Sequence, residues 1–265
     1  MGEEFFPRSI RLINDLDDAD KEHVYRALLP DWLFERYGVD RERLTFEGQR
    51  VVKLRAPKGT RAMELIVRRR ASDIDPMLYL NMADTFNQQI LVLLVVVNDP
   101  DAPRFNIDRD LDGNDTQLGT TSRNIPAEIA AMEAGLAPGQ IRPGLRVFKQ
   151  LVPLFEDFIR RMQHDLFLIE PLSYHNAIVF ERYGFSYSYG FKDMQEIDRE
   201  FRPGGWLNQK LNDSTPFRRA DAWKTVRGRA WAIHDGILGH PFTGFQMYKR
   251  IGVHAGVNTF PDSIW

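Results

Sequence analysis

Three aspartates alternate along a polar stretch in the middle of the chain. Asp108, Asp110 and Asp112 are followed by a glycine and an asparagine, as in the first half of an EF-hand loop. In such a loop, alternating oxygens face one cation and the glycine makes the turn. The twelfth position is Gly119 and not the usual bidentate glutamate. The pattern predicts either a Ca²⁺ or Mg²⁺ site at the three aspartates or a solvated acidic turn.

A second group of potential ligands lies near the C-terminus. His234, Asp235 and His240 offer the imidazole and carboxylate groups that Zn²⁺ or Fe²⁺ sites use, although their spacing matches no standard motif. His234 is also a candidate general base toward an amine, or a histidine that only forms hydrogen bonds in the core. A metal-dependent enzyme that uses these residues is therefore one functional hypothesis.

Groups that could hold a phosphate precede an amphipathic segment. An apolar stripe from Pro143 to Met162 predicts a helix, which Pro153 should kink. The segment is preceded or opened by Gln140, Arg142, Gly144, Leu145 and Arg146. Free backbone N–H groups and two cationic side chains would then converge at the positive end of the helix, which suits a pyrophosphate.

Short elements rich in apolar residues surround this segment. Asp18 to Tyr37 has helical spacing with Pro30 as a break, and Pro126 to Ala134 predicts another helix. Three stretches suit neighbouring strands of one sheet between helices: Arg50 to Leu54, Met63 to Arg68 and Ile90 to Val97. The last is apolar throughout, which predicts a central strand covered on both faces.

A strand and a helix follow the amphipathic segment. Asp165 to Leu172 suits a short buried strand, and Ser173 can cap a helix that continues through Tyr183 and ends at Gly184. A helix, a strand and a second helix are what a parallel crossover requires. The sequence thus predicts an α/β fold with a mixed central sheet flanked by helices.

The run from Ser173 to Phe185 resembles the acyl-CoA-binding half of GNAT acyltransferases. In that family, Asn-x-x-Ala leads into an apolar residue, Tyr, Glu, Lys or Arg, one residue, Gly and Phe. The second half of this pattern matches best, with Glu181, Arg182, Tyr183, Gly184 and Phe185. The loop before the amphipathic segment lies where the family places its Gln/Arg-x-x-Gly-x-Gly/Ala motif, which holds the pyrophosphate of acyl-CoA. Pro143 occupies the first glycine position there, and Gly144 is displaced by one residue.

The resemblance implies transfer of an acyl group from acetyl-CoA or another acyl-CoA to an unknown amine. It implies a set of cofactor-binding residues: Gln140, Arg142, Gly144, Leu145, Arg146, Asn176 and Phe180. The family often has a tyrosine at the position of Phe180 as the acid that reprotonates the CoA thiolate. Our candidates for proton transfer are therefore Tyr183 and His234. The alternative is a GNAT-shaped binding protein without catalysis.

Composition limits the other classes of function. The chain has 265 residues, 43% of them hydrophobic and 27% charged, with 35 basic and 37 acidic side chains and no cysteine. The near balance of charge argues against nucleic acid as a partner, and no apolar run could cross a membrane. The N-terminal Met1 to Pro7 carries Glu3 and Glu4 and lacks the features of a signal peptide. We expect a cytoplasmic protein with a small-molecule substrate.

The predicted organisation is a core with one insertion and one extension. Residues 1–190 are expected to form the GNAT-like core, with an Asp-rich insertion near 98–124, and residues 191–265 a C-terminal extension packed on it. The extension is rich in tryptophan, tyrosine and phenylalanine. These aromatic residues could form core, line a substrate pocket or build the face of a homodimer.

Overall fold

A computed structural model describes residues 4–117 and 121–265. Glu3 and Gly119 therefore lie outside the described residues. The helices are α1 (Ile10–Asn14), α2 (Asp18–Arg26), α3 (Asp31–Glu35), α4 (Ile125–Glu133), α5 (Phe148–Arg161), α6 (Tyr174–Arg182), α7 (Phe191–Phe201), α8 (Trp206–Gln209) and α9 (Val226–His234), with a 3-10 turn at Ala222–Lys224. The strands are β1 (Thr45–Phe46), β2 (Gln49–Arg50), β3 (Val52–Arg55), β4 (Ala62–Val67), β5 (Leu78–Asp84), β6 (Ile90–Val97), β7 (Leu166–Ile169), β8 (Ser186–Tyr189) and β9 (Gln246–Arg250).

Seven strands form one mixed sheet in the order β3-β4-β5-β6-β7-β9-β8. Strands β3 to β6 are antiparallel neighbours, and β6 and β7 are parallel. Helix α5 makes the crossover between the two parallel strands. The predicted α/β class, mixed sheet and parallel crossover are confirmed.

The described chain divides into two compact units. The first comprises residues 4–101, 144–170 and 248–254, and the second comprises 102–117, 121–143, 171–247 and 255–265. Each unit therefore contains segments from both sides of residue 190.

The three predicted strands are present, but they are not all neighbours. Strand β5, which the sequence analysis missed, lies between β4 and β6. Its sequence alternates, since Leu78, Leu80 and Met82 are buried while the residues between them are half-buried. The prediction that β6 is covered on both faces is wrong, because Leu93 is 37% exposed.

The inner face of the sheet in the first unit is built from buried aliphatic residues. Antiparallel pairing places Leu65 of β4 opposite Leu80 of β5, and both are buried. Helix α1 packs on β4 and β5. The ring of Phe158 on α5 lies 5.6 Å from Phe6 and 6.3 Å from Tyr25. This face forms the core of the unit.

Local signals placed several helix boundaries correctly, whereas α1, α7, α8 and α9 were not predicted. Pro30 separates α2 from α3, the side chain of Asn124 accepts a hydrogen bond from the N–H of Ala127 in α4, and Gly184 follows α6 with φ of 81°. The boundaries at Pro30, Asn124 and Gly184 each follow from a residue whose effect is local. Pro153 sets no boundary, because α5 continues through it.

The second unit has an aromatic core. Trp231 on α9 stacks on Phe217 at 5.2 Å, and its indole N–H donates to the carbonyl of Leu136 at 2.9 Å. Other aromatic residues of the C-terminal region are exposed, such as Tyr189 at 68% and Trp206 at 40%. Only part of the aromatic content therefore forms core.

We expect Asp84→Ala to lower the free energy of unfolding by about 1–2 kcal/mol. The carboxylate of Asp84 accepts hydrogen bonds from the N–H groups of Ile10 (2.7 Å) and Arg11 (2.9 Å), and so caps α1 from the end of β5. Asp84→Asn keeps one acceptor oxygen and should lose less. Urea unfolding measures both, and an unchanged alanine variant would contradict this role of Asp84.

Candidate functional site

Strand β6 leaves its parallel neighbour after two paired positions. Leu91 pairs with Leu168 and Val92 with Ile169, and the pairing with β7 ends there. On its other edge, β6 stays paired with β5 as far as Val97. Along residues 93–97, one edge of β6 therefore presents backbone N–H and C=O groups that no described strand pairs.

A β-bulge lies where the two strands separate. Met82 of β5 pairs with Val92, but Asn81 pairs with Leu94, so Leu93 is an extra residue in β6. A bulge bends its strand and increases its twist. The bulge at Leu93 therefore accounts for the divergence of β6 from β7, which opens the edge.

The segment before α5 lies against the end of this strand. A Cβ atom on Gly144 would lie 3.1 Å from the carbonyl oxygen of Val97, closer than most side chains tolerate. Leu145 is half-buried and Arg146 is exposed. Glycine permits the close approach of this loop to β6.

Helix α5 begins later than the sequence predicted. It starts at Phe148 instead of near Pro143, because Arg146 has φ of 57°, in the left-handed region that a helix cannot include. The sequence predicted Gly144 in the first turn of this helix, but Gly144 lies in the loop before it. The N-cap Val147 makes no side-chain cap hydrogen bond, and the exposed Lys149 follows in the first turn.

Two other predicted phosphate ligands belong to the second unit. The side-chain oxygen of Gln140 accepts the N–H of Ala137 at 2.7 Å. The guanidinium of Arg142 donates to the carbonyl of Ala102. Both side chains thus make hydrogen bonds to the backbone of their own unit.

The residues predicted from the α6 motif have three different environments. Asn176 is half-buried on the helix. Phe180 is 5% exposed, and its ring lies 5.2 Å from that of Phe185, as in a core pair. Tyr183 is half-buried and ends the helix. A role for them in cofactor binding or proton transfer stays a prediction.

His234 belongs to a network of charged groups in the second unit. Its Nε2 lies 3.1 Å from Oε1 of Glu128, which is 2% exposed and also accepts from Arg123. Arg123 in turn donates to Asp235 at 2.9 Å. Burial raises the pKa of Glu128, but hydrogen bonds from His234 and Arg123 outweigh it and lower that pKa overall. Glu128 is 106 residues from His234 in the chain, so no local pattern could reveal the pair.

Two of the three predicted metal ligands, Asp108 and Asp110, accept hydrogen bonds from protein groups. Asp108 accepts from Arg104 at 2.7 Å, and Asp110 accepts the N–H groups of Asp112 and Asn114, which forms a closed turn.

The alternative metal ligands, Asp235 and His240, also contact protein groups. Asp235 accepts from Arg218 and Thr215, and the exposed His240 contacts the carbonyl of Pro241. Within residues 4–117 and 121–265, no three His, Asp or Glu side chains are grouped as metal ligands.

Comparison with known proteins identifies no relative: no family model matches the chain, and neither curated proteins nor solved structures show significant similarity to it. In the part of the chain that the structure describes, no helix has the length and apolarity needed to cross a membrane.

Proposed function

We propose that this chain is a GNAT-like acyltransferase that moves an acyl group from an acyl-CoA to an amine. The observation that carries the proposal is the open edge of β6, which begins at the bulge at Leu93 and ends beside Gly144. The motif resemblance between Ser173 and Phe185 supports it independently.

The open edge suits the pantetheine arm of CoA. This arm is extended and contains two amides, which can pair with an unpaired strand edge as an added strand would. The backbone groups of residues 93–97 offer both donors and acceptors on that edge. An acyl-CoA bound in this way would place its chain along β6.

The loop and helix beyond β6 suit the pyrophosphate. The dipole of α5 favours an anion at the N-terminal end of this helix. Arg146 and Lys149 add two exposed cationic side chains beside this turn. Chelation by both would bind a phosphate more strongly than either alone.

The amine attacks the thioester carbonyl directly, so no covalent enzyme intermediate and no cysteine are needed. Tyr183 and His234, the candidates for proton transfer from the sequence, stay predictions. Hydrogen bonding to Glu128 fixes the imidazole ring of His234, as a base requires.

We expect saturating acetyl-CoA to raise the melting temperature by about 5–10 °C, because a ligand that binds only the folded state stabilises it by mass action. The charge reversals Arg146→Glu and Lys149→Glu should each weaken binding about tenfold. Lys58→Glu is the matched control, since Lys58 is exposed in the turn between β3 and β4, at the other end of the sheet.

An unchanged melting temperature at millimolar acetyl-CoA would refute the proposal. An equal loss of acetyl-CoA affinity in all three variants would refute it too. Release of the CoA thiol in the presence of amines then tests turnover. Binding without turnover over a broad set of amines would favour the binding protein that lacks catalysis.

A further inference from the structure

One row of side chains on the outer face of the sheet in the first unit is apolar across four strands. Leu168 of β7 pairs with Leu91 of β6. Leu91 pairs on its other side with Ala83 of β5, which pairs with Ala62 of β4. Ala62 is exposed, and the other three side chains are half-buried. The row therefore presents accessible apolar surface without a polar side chain.

The neighbours of this row along the strands point the other way, into the core. Val92 follows Leu91 in β6, Phe167 precedes Leu168 in β7, and both are 2% exposed. Successive side chains of a strand alternate between the two faces of the sheet. Phe155 of α5 stacks on the ring of Phe167 at 6.2 Å. Core side chains therefore fill the inner face beside β6 and β7, whereas the outer face is accessible.

The bulge at Leu93 connects the apolar row to the open edge of β6. Leu93 is 37% exposed, and it lies two residues from Leu91 at the point where β7 leaves β6. The open edge and the row thus meet at an exposed leucine. Together they form one continuous surface, with backbone groups along the edge and apolar side chains beyond the bulge.

The described strands direct an acyl group at the bulge onto the outer face. With the pyrophosphate at α5, the pantetheine arm runs along β6 from Val97 to Leu93 and leaves the thioester at the bulge. Beyond the bulge, β7 pairs with Leu91 and Val92 and closes this edge of the sheet. The core closes the inner face. On the outer face, the acyl group meets Leu93, Leu91 and Leu168.

We propose that the acyl donor carries an apolar alkyl chain longer than acetyl, which binds across Leu91, Leu168 and Ala83. The inference rests on the proposed function and names its class of acyl group. The alkyl chain starts at Leu93, covers the two leucines and continues over the small side chain of Ala83. A charged acyl group finds no polar partner in this row and would lose hydration without compensation.

Affinities for a series of acyl-CoAs, measured by isothermal titration calorimetry, test the site. Octanoyl-CoA should bind about ten- to hundredfold more tightly than acetyl-CoA, because part of its additional methylenes leaves water. Butyryl-CoA should bind more tightly than succinyl-CoA, whose acyl chain has the same length but ends in a carboxylate.

Two substitutions within the row separate the alkyl chain from the rest of the ligand. Leu168→Ser removes apolar contact, and Ala83→Glu places a charge under the chain. Each should weaken octanoyl-CoA binding about tenfold. Neither should change the affinity for acetyl-CoA, since the acetyl methyl ends at the bulge, and retained acetyl-CoA binding shows that the variant is folded.

Matched controls make the same changes of residue type at exposed positions of the first unit. Leu12→Ser changes a leucine on α1 that is 53% exposed. Ala71→Glu changes an exposed alanine in the turn between β4 and β5, at the other end of β5 from Ala83. Both controls should bind octanoyl-CoA as tightly as the wild type does.

The same titrations distinguish the failure of this site from the failure of acyl transfer. Equal affinities for acetyl-CoA and octanoyl-CoA, or equal losses in the row variants and the controls, would overturn the alkyl site alone. If CoA, acetyl-CoA and octanoyl-CoA all failed to bind, the proposed function would be refuted as well. Octanoyl-CoA that excess CoA cannot displace would overturn both, because the chain would then bind without the CoA moiety.

Discussion

Replacing Arg229 with leucine should lower the free energy of unfolding by about 3–5 kcal/mol, the largest loss that we expect from a single substitution. Arg229 is 1% exposed, and its guanidinium donates to Asp198 at 2.8 Å and to the carbonyl of Trp223 at 2.7 Å. It also lies 3.4 Å from the ring centre of Phe260. The variant removes the buried partner of Asp198 and leaves only the partly exposed Arg202 beside it.

Urea unfolding of the double variant tests the cause. A buried ion pair costs much to break, but its replacement by apolar residues of similar volume is often neutral. We therefore expect Arg229→Leu with Asp198→Leu to be more stable than Arg229→Leu alone. Arg199→Leu is the matched control, because its side chain is 67% exposed and its ion pairs should contribute little. A loss below about 1 kcal/mol in Arg229→Leu would contradict the importance of this buried charge.

The second large effect is a loss of stability in acid that depends on His175. This side chain is 4% exposed, and its Nδ1 lies 2.9 Å from the hydroxyl of Ser173. Burial, aided by repulsion from Arg227 and His234, lowers the pKa of His175 from 6.5 to about 3. The imidazole is therefore neutral in the folded protein at neutral pH.

Proton linkage gives the direction in which the stability changes with pH. Between about pH 6.5 and pH 3, the unfolded chain binds a proton at His175 and the folded chain does not. The stabilisation from this lowered pKa is thus fully present above pH 6.5 and is lost as the pH falls toward 3. The free energy of unfolding should fall by about 1.4 kcal/mol per pH unit from this residue.

Urea unfolding over that pH range should show a shallower dependence in His175→Asn than in the wild type. Asparagine keeps a polar atom near the hydroxyl of Ser173 but does not titrate. His240→Asn is the control, since it makes the same change of residue type at an exposed position. If the free energy of unfolding changed equally with pH in His175→Asn and the wild type, His175 would not be the residue that causes the change.

The sequence by itself determined the boundaries of several local elements of this protein. Pro30, Asn124 and Gly184 each set a helix boundary through their own backbone or side chain, so the pattern alone could place them. The order of helix, strand and helix after residue 147 also predicted the parallel crossover. The alternation in β5 was visible in the sequence, and only its interpretation was missed.

The tertiary structure alone decided where these elements create a site. The bulge at Leu93 depends on how β6 pairs with β5, and the open edge depends on where β7 leaves it. Leu91 meets Ala83 and Leu168 only because of the register between three strands, which the sequence of no single strand specifies. Pairing between distant segments depends on the free energy of the whole sheet and its core, and for this reason the sequence predicted the elements but not the constellation.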